Sequence, residues 1–235
     1  MTTLPSWLET IAVFDTETTG LDLREARIVT AAVGLLNSDG SVAPESKEWL
    51  ADPGIPIPVQ ASNVHGITDE FARANGRPAA EVVAEVLSTL REHLANGVPV
   101  IAYNAPYDFT ILHYEAVRHG LEPLVHPFPI LDPLVLDKKF DKYRKGKRQL
   151  FMTCEVYGVA LDDAHTATAD AVAAGRVLQA IAGKFPAEFE AGANALHQAQ
   201  ILWSDEQSLD FERFMRGAGK PDFTAQLGWP LKTFD

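Results

Sequence analysis

The stretch "AVFDTETTG" (residues 12–20) is an apolar run that ends in two acidic residues, Asp15 and Glu17. Side chains two positions apart in an extended chain point to the same side. The two carboxylates are therefore expected to lie side by side at the end of a buried strand, where they repel each other. This arrangement predicts that a positive charge sits between them.

The rest of the chain alternates between apolar runs and helical periodicity. Asp39-Gly40 marks a turn within an opening set of strands, and the Pro-rich stretch 52–68 is read as a loop. Apolar residues then recur at helical spacing over 78–97. Strands are predicted near 11–15, 27–36, 46–51, 98–104 and 128–132, and further helices near 107–119, 149–158 and 166–184.

This order of elements predicts an α/β fold in which a mixed sheet is flanked by helices. At 235 residues the chain is long enough for one domain with an addition. We assign residues 1–185 to the main domain. Residues 186–235 are predicted to form a C-terminal helical extension followed by an extended tail, because helical periodicity in this part of the chain stops before its end.

Composition excludes several classes of function. The sequence has no run of 18 apolar residues and no signal-like N-terminus, so we expect no membrane contact and a cytoplasmic location. The single cysteine, Cys154, cannot form an internal disulfide and is too little for a thiolate zinc site.

The net charge of −12 at first argues against a nucleic-acid partner. However, the segment "KKFDKYRKGKR" (residues 138–148) holds seven basic residues and one acid. It is either a solvated surface segment or a local patch that contacts phosphates. The candidate phosphate contacts are Arg144, Lys145, Lys147 and Arg148.

Three further polar residues stand near predicted helix starts: Asp108 in "NAPYD", and His165 and Asp170 in "HTATAD". Taken singly, an acid in the first turn of a helix has a structural explanation, since the helix dipole favours it there. Together with "FDTETTG", these segments resemble the three motifs of the DEDD superfamily of 3′ to 5′ exonucleases. The resemblance covers residues 8–184 and is to the branch with a catalytic histidine, which includes the proofreading epsilon subunit of bacterial DNA polymerase III.

The resemblance implies a ribonuclease H-like fold with a five-stranded sheet, and a role for each motif residue. Asp15, Glu17, Asp108 and Asp170 would hold two divalent cations, Mg²⁺ or Mn²⁺, which prefer oxygen ligands. His165 would take the proton from the attacking water. Contacts to the terminal nucleotide are expected from Thr16, Thr18, His65 and Asn104.

The resulting hypothesis is a metal-dependent enzyme that releases 5′-mononucleotides from the 3′ end of DNA, in proofreading or repair. Single-stranded or frayed 3′ ends are the expected substrate. Two alternatives stay open, namely an RNA 3′-end trimming enzyme and a catalytically silent scaffold in a polymerase complex. A DNA polymerase subunit is a possible partner, and so is a sliding clamp, because "QLGWPL" from Gln226 is faintly similar to clamp-binding peptides. The sequence does not indicate an oligomeric state.

Overall fold

The computed structural model describes residues 4–161, 166–232 and 234. Within them the strands form one mixed sheet, and a short 3-10 helix at Ser6–Leu8 precedes the first strand. The strands are β1 (Thr10–Thr18), β2 (Ile28–Asn37), β3 (Lys47–Asp52), β4 (Arg77–Pro78), β5 (Val100–Ile101) and β6 (Ile130–Leu131).

The described strands lie in the order β4-β3-β2-β1-β5-β6. The pairs β1/β2 and β2/β3 are antiparallel, whereas β1/β5, β5/β6 and β3/β4 are parallel. The predicted α/β class is thus confirmed. The sheet has one strand more than the five expected, because Arg77 and Pro78 continue it for two residues beside β3.

Helices cover both faces of this sheet. Among the described residues, none of the helices has the length and apolar character needed to cross a lipid bilayer. The helices are α1 (Val59–His65), α2 (Asp69–Asn75), α3 (Ala79–Ala95), α4 (Pro106–Arg118), α5 (Pro133–Phe140), α6 (Leu150–Tyr157), α7 (Ala167–Lys184), α8 (Pro186–Phe189) and α9 (Gly192–Gly217).

Helix α1 was not predicted, because the prolines of residues 52–68 indicated a loop, and α2, which begins at Asp69, was not predicted either. Pro58 instead occupies the position before α1, where proline is tolerated because no intrahelical N–H is needed there. Gly66 ends the helix with a φ of 77°, a left-handed conformation that suits glycine. The Pro-rich stretch therefore contains a short helix with a defined start and end.

Alternation along β1 assigns its side chains to two cores. Ala12 and Phe14 belong to the core shared with α3 and α4, whereas Ile11 and Val13 belong to the core shared with α7. Because Asp15 and Glu17 continue the odd-numbered series, they lie on the α7 side of the sheet. The burial pattern of β1 agrees, since these two acids are half-buried while Thr16 and Thr18 are buried.

The C-terminal helix α9 covers β6, the last strand in this order. Gln200 accepts from the Asp132 backbone N–H at 2.8 Å and donates to the Ile130 carbonyl at 3.3 Å. His197 Nδ1 accepts from the Ile130 N–H at 3.0 Å. Backbone groups that a further strand would satisfy are thus satisfied by side chains of a helix.

The tail after α9 returns along the main domain. Trp229 is only 5% exposed, and its indole N–H points toward Asp132 at 3.5 Å. The similarity of "QLGWPL" to a clamp-binding peptide therefore does not carry over to the folded chain, because its aromatic anchor is buried in the protein itself. The division at residues 185/186 stays a prediction.

Candidate active site

Three carboxylates converge at the end of β1. One oxygen from each of Asp15, Glu17 and Asp170 lies within 4.8 Å of the other two. Asp15 and Glu17 come from the same side of the strand, and Asp170 comes from the first turn of α7. The pairing of β1 with β2 shifts register between Glu17 and Thr18, an irregularity that bends a strand and re-aims its side chains.

Close packing of α7 on β1 carries Asp170 to this position. Gly175 lies against the sheet, where an added Cβ would be 2.6 Å from Val13 Cγ1 and 2.9 Å from Leu36 Cδ2. Such distances are far shorter than van der Waals contact, so a larger residue would push the helix outward. The start of the same helix is fixed by Thr166, whose hydroxyl accepts from the Ala169 N–H at 3.2 Å.

Asp108 approaches β1 from the first turn of α4. Its Oδ1 accepts two hydrogen bonds from Thr16, one from the backbone N–H at 2.9 Å and one from the hydroxyl at 2.7 Å. These bonds fix Asp108 next to the three converging acids. The Thr16 hydroxyl, predicted to contact substrate, is engaged with Asp108 and is buried.

Burial raises the pKa values of Asp15, Glu17 and Asp108, and neighbouring carboxylates raise them further. Burial raises the pKa of Asp15 well above its ordinary value, and the neighbouring carboxylates, Asp108 first, raise it further. Burial and then the charge of Asp170 raise the pKa of Glu17 to about 8. Burial also raises the pKa of Asp108 to about 7, although the hydrogen bonds from Thr16 oppose the shift. Full ionisation of this cluster therefore requires a compensating positive charge.

The donor set fits a hard divalent cation. The converging groups in the described residues are carboxylate oxygens, which Mg²⁺ and Mn²⁺ prefer to nitrogen or sulfur. Asp15, Glu17 and Asp170 are close enough to share an ion, and Asp108 is coupled to them electrostatically. The sequence motifs thus bring together four of the five predicted catalytic residues. The fifth, His165, lies outside the described residues and stays a prediction.

A pocket of about 380 Å³ opens beside Glu17. Its walls are the loop after β1 and helix α1, so a helix that the sequence reading missed forms part of the site. Tyr107 closes one side, and its hydroxyl donates to the Gly20 carbonyl at 2.8 Å. The Thr18 hydroxyl lies against the same tyrosine hydroxyl. A substrate contact by Thr18 remains a prediction. Tyr107 was not named from the sequence, although its place beside Asp108 in "NAPYD" could have indicated that it lines the site.

His65 ends α1 close to the same strand. Its Nδ1 accepts from the Ile67 N–H at 3.1 Å, while Nε2 is buried and finds no partner within hydrogen-bonding distance. Burial lowers the pKa of His65, and the backbone of Thr18 partly offsets this. The lowered pKa favours the neutral ring, and because Nδ1 accepts a hydrogen bond, Nε2 carries the proton. Contact with substrate stays a prediction for this residue.

Asn104 is exposed and has a φ of 63°, a left-handed conformation that asparagine tolerates. Asp132 holds this turn, because its carboxylate accepts from the N–H groups of Asn104 and Ala105, both at 3.0 Å. The sequence analysis did not name Asp132 as a site residue. The signal it offered is the proline after it, because an Asp before a helix-starting proline is typical of a helix cap.

The structure separates the predicted basic contacts into two pairs. The guanidinium groups of Arg144 and Arg148 bind the buried carboxylate of Asp137, with side chains only 9% and 13% exposed. Burial alone would raise the pKa of Asp137, but these bonds and one from Tyr157 lower it. We therefore withdraw the two arginines as phosphate contacts, because they neutralise a buried acid. Lys145 and Lys147 are exposed and keep that role as a prediction.

Comparison with known proteins places the chain in a family. The sequence model of the RNase T group, described as Exonuclease, matches residues 12–178. The PolC-type DNA polymerase III of Streptococcus sanguinis is 31% identical over 170 residues, which is 72% of this chain and 11% of that protein. The PolC-type enzyme of Lacticaseibacillus paracasei is also 31% identical, again over 11% of its length. The chain belongs to the exonuclease family and spans about a tenth of these curated relatives.

Solved structures show the same fold. Escherichia coli exonuclease I in complex with a dT13 oligonucleotide superimposes with a TM-score of 0.65 at 20% identity, covering 77% of this chain and 43% of that one. The zinc-bound form of the exonuclease I complex with single-stranded DNA has the same TM-score and identity and covers 42% of that chain. At this level of identity, the likeness is one of fold.

Proposed function

We propose that this member of the exonuclease family is a metal-dependent 3′ to 5′ exonuclease that releases 5′-mononucleotides from DNA. The convergence of the Asp15, Glu17 and Asp170 carboxylates within 4.8 Å of one another carries the proposal. Acids packed this closely are poorly suited to a purely structural role, since burial and mutual repulsion raise their pKa values. The family membership supports a nuclease, and the acidic cluster supports metal dependence.

The residues of this chain would divide the work of hydrolysis. Asp15, Glu17 and Asp170 would hold the cations, and Asp108, fixed by Thr16, would complete the negative charge around them. When bound, two divalent cations supply Lewis acidity toward the scissile phosphate and offset the charge that develops on the leaving oxygen. The pocket beside Glu17 would take the 3′-terminal nucleotide between the loop after β1 and α1.

His165 is the proposed general base. A water oxygen forms the new bond to phosphorus while His165 takes the proton from that water, and the bond from phosphorus to the 3′ oxygen breaks. The leaving 3′ oxygen is then protonated by solvent, which leaves a shortened strand and a 5′-mononucleotide. In sequence His165 immediately precedes Thr166, the residue that caps the helix carrying Asp170.

Single-stranded or frayed DNA ends are the proposed substrate. Support comes from exonuclease I, which is solved with single-stranded oligonucleotides, and from the PolC-type polymerases, which suggest a link with replication. A polymerase partner, a role in proofreading or repair, and a cytoplasmic location remain predictions.

A digestion assay tests the proposal. Matched single-stranded, duplex and mismatched DNA, and the corresponding RNA, are labelled at one end and incubated with Mg²⁺ or Mn²⁺. A 5′ label should show a ladder that shortens from the 3′ end, and a 3′ label should be released as a mononucleotide. EDTA should stop the reaction, and fresh Mg²⁺ should restore it.

Two variants identify the residues responsible. Asp15→Asn should abolish cleavage without loss of fold, and His165→Ala should lower kcat by about 10² to 10⁴-fold, as is typical when a general base is lost. Glu45→Gln, an exposed acid on the loop before β3, serves as the matched control. Degradation from the 5′ end, or cleavage in EDTA, would contradict the proposal. Cleavage of RNA alone would favour the trimming enzyme, and inactivity on every substrate would favour the silent scaffold.

A further inference from the structure

A series of pockets with shared lining residues runs from the candidate active site to the basic segment. The pocket beside Glu17 shares Leu21 and Tyr107 with a second pocket of about 540 Å³. The second shares Asn104, Pro106 and Lys232 with a third of about 150 Å³. The third shares Lys138, Gln207 and Phe211 with a fourth of about 480 Å³. We call these last three pockets the side furrow.

Along the side furrow basic side chains outnumber acidic ones by six to four, although the protein as a whole is acidic. Lys138, Lys139 and Lys142 border its far end, and Lys232 from the tail borders the part near the active site. Of the four acids, Glu206 lies 3.9 Å from Lys139 and Asp210 pairs with Arg213, while Asp22 and Asp132 line the two pockets nearer the active site. Arg148 also lines the far pocket, although its charge is directed to Asp137.

An exposed aromatic ring stands between these lysines. Phe211 of α9 is 51% exposed and lines both the third and the fourth pocket. Phe214 stacks on it with centroids 6.4 Å apart, and Phe223 of the tail meets it edge-on at 5.5 Å. Its orientation is thus held by two neighbours while part of the ring faces the furrow.

We propose that the side furrow holds single-stranded DNA upstream of the 3′ end, with a base stacked on Phe211 and phosphates at Lys142, Lys138 and Lys232. A groove that combines basic side chains with an aromatic ring suits a single strand, because its unpaired bases are free to stack. Duplex DNA does not offer such bases. The proposal rests on the proposed function and adds a surface built from α9 and the tail, which lie outside the family match at residues 12–178.

Fluorescence anisotropy with 5′-labelled oligothymidylates of about 4 to about 16 nucleotides, in EDTA to prevent cleavage, tests this inference. Wild-type affinity should rise with length until the furrow is filled. Phe211→Ala should weaken binding of the longest oligonucleotide about 5- to 100-fold, the typical effect of losing one stacked base. Phe211→Trp should bind the longest oligonucleotide as tightly as wild type does. Lys142→Gln should lower the slope of log K against log salt by about 0.7.

Matched controls lie on the same elements. Leu202→Ala removes an exposed apolar side chain of α9, and Lys220→Gln removes an exposed lysine of the tail. Both should keep the wild-type length dependence. Wild-type length dependence in Phe211→Ala with an intact circular dichroism spectrum would overturn the inference, and so would a loss seen with RNA oligonucleotides but not with DNA. Failure of the proposed function would appear separately, as absence of Mg²⁺-dependent cleavage by the wild type.

Discussion

Thr16 donates both its backbone N–H and its hydroxyl to the same oxygen of Asp108. The pairing of β1 with β5 covers Ala12 and Val13, so Thr16 lies beyond it and its N–H is free to bond the start of α4. A threonine between two acidic residues thus positions a third acid. Alternation along the strand turns the two acidic neighbours to the α7 side and leaves Thr16 on the buried side, where it reaches Asp108.

Thr16→Val tests this positioning role. Valine keeps the backbone N–H and the side-chain shape but removes the hydroxyl donor, so Asp108 loses one of two stabilising hydrogen bonds. We expect kcat for DNA cleavage to fall about tenfold, and the free energy of unfolding to fall by about 1 kcal/mol. Steady-state kinetics and urea denaturation measure these effects. Thr89→Val, a buried threonine of α3, should keep wild-type kcat, and equal kcat values in the two variants would contradict the role.

Glu17→Gln should remove the pH dependence that Glu17 imposes on the stability of the metal-free protein. The pKa of Glu17 is raised from 4.5 to about 8, so the folded state holds this proton more tightly than the unfolded state. The resulting destabilisation is absent below about pH 4.5, grows as pH rises, and is complete above about pH 8. In EDTA near pH 8.5 the variant should be more stable than wild type, by on the order of 2 kcal/mol.

Urea denaturation at several pH values measures the gap in the free energy of unfolding between Glu17→Gln and wild type. The gap should close near pH 4.5, and Mg²⁺ at pH 8.5 should stabilise wild type more than the variant. A gap that is independent of pH would show that Glu17 does not titrate in this way.

Gly175→Ala should separate α7 from β1. The new methyl group would lie 2.6 Å from Val13, so the helix has to move and take Asp170 with it. We expect a loss of about 1–3 kcal/mol in the free energy of unfolding, as for overpacked cores, together with weaker Mg²⁺ binding. Thermal denaturation and isothermal titration calorimetry measure the two effects.

Gly183→Ala is the matched control for that substitution. It lies in the same helix but has nothing within 4 Å of an added Cβ. Alanine is the better helix former there, by up to about 1 kcal/mol, so this variant should be slightly more stable. Equal stability of the two alanine variants would mean that the close approach at Gly175 is not required.

Gln200→Leu should weaken the attachment of α9 to β6. The substitution leaves the Asp132 N–H without its acceptor and the Ile130 carbonyl without a donor. Buried backbone groups without partners cost about 1–3 kcal/mol, and we expect a loss of that size in urea denaturation. Gln198→Leu, on the exposed side of the same helix, should change stability little. Wild-type stability of Gln200→Leu would show that water can replace the side chain.

The arginines and the lysines of the basic segment should have different effects on stability and on DNA binding. Arg144→Gln removes one partner of the buried Asp137 and should lower the free energy of unfolding by roughly 1–3 kcal/mol. Lys145→Gln and Lys147→Gln should keep wild-type stability but lower the salt slope of DNA binding by about 0.7 each. An unchanged salt slope in the lysine variants would make this part of the segment a solvated surface.

Patterns and motifs in the sequence were enough to predict the fold class and the acids of the cluster. Asp15 and Glu17 share one side of a strand because side chains alternate along any extended chain, a local rule that needs no knowledge of the rest. The predicted strand and helix order came from apolar periodicity in the same way. Local signals failed at Pro58, because proline is compatible both with a loop and with the position before a helix.

The surroundings of these acids depend on contacts between distant parts of the chain. Thr16 and Asp108 are 92 positions apart, and Asp132 and Gln200 are 68 apart. A short window of sequence, of the kind that shows periodicity, therefore never contains both partners. The seven basic residues of 138–148 look alike in sequence, yet burial of Asp137 commits Arg144 and Arg148 to it and leaves Lys145 and Lys147 exposed. Composition sets the net charge of a segment, but the fold decides whether each basic side chain pairs with a buried acid or faces the solvent.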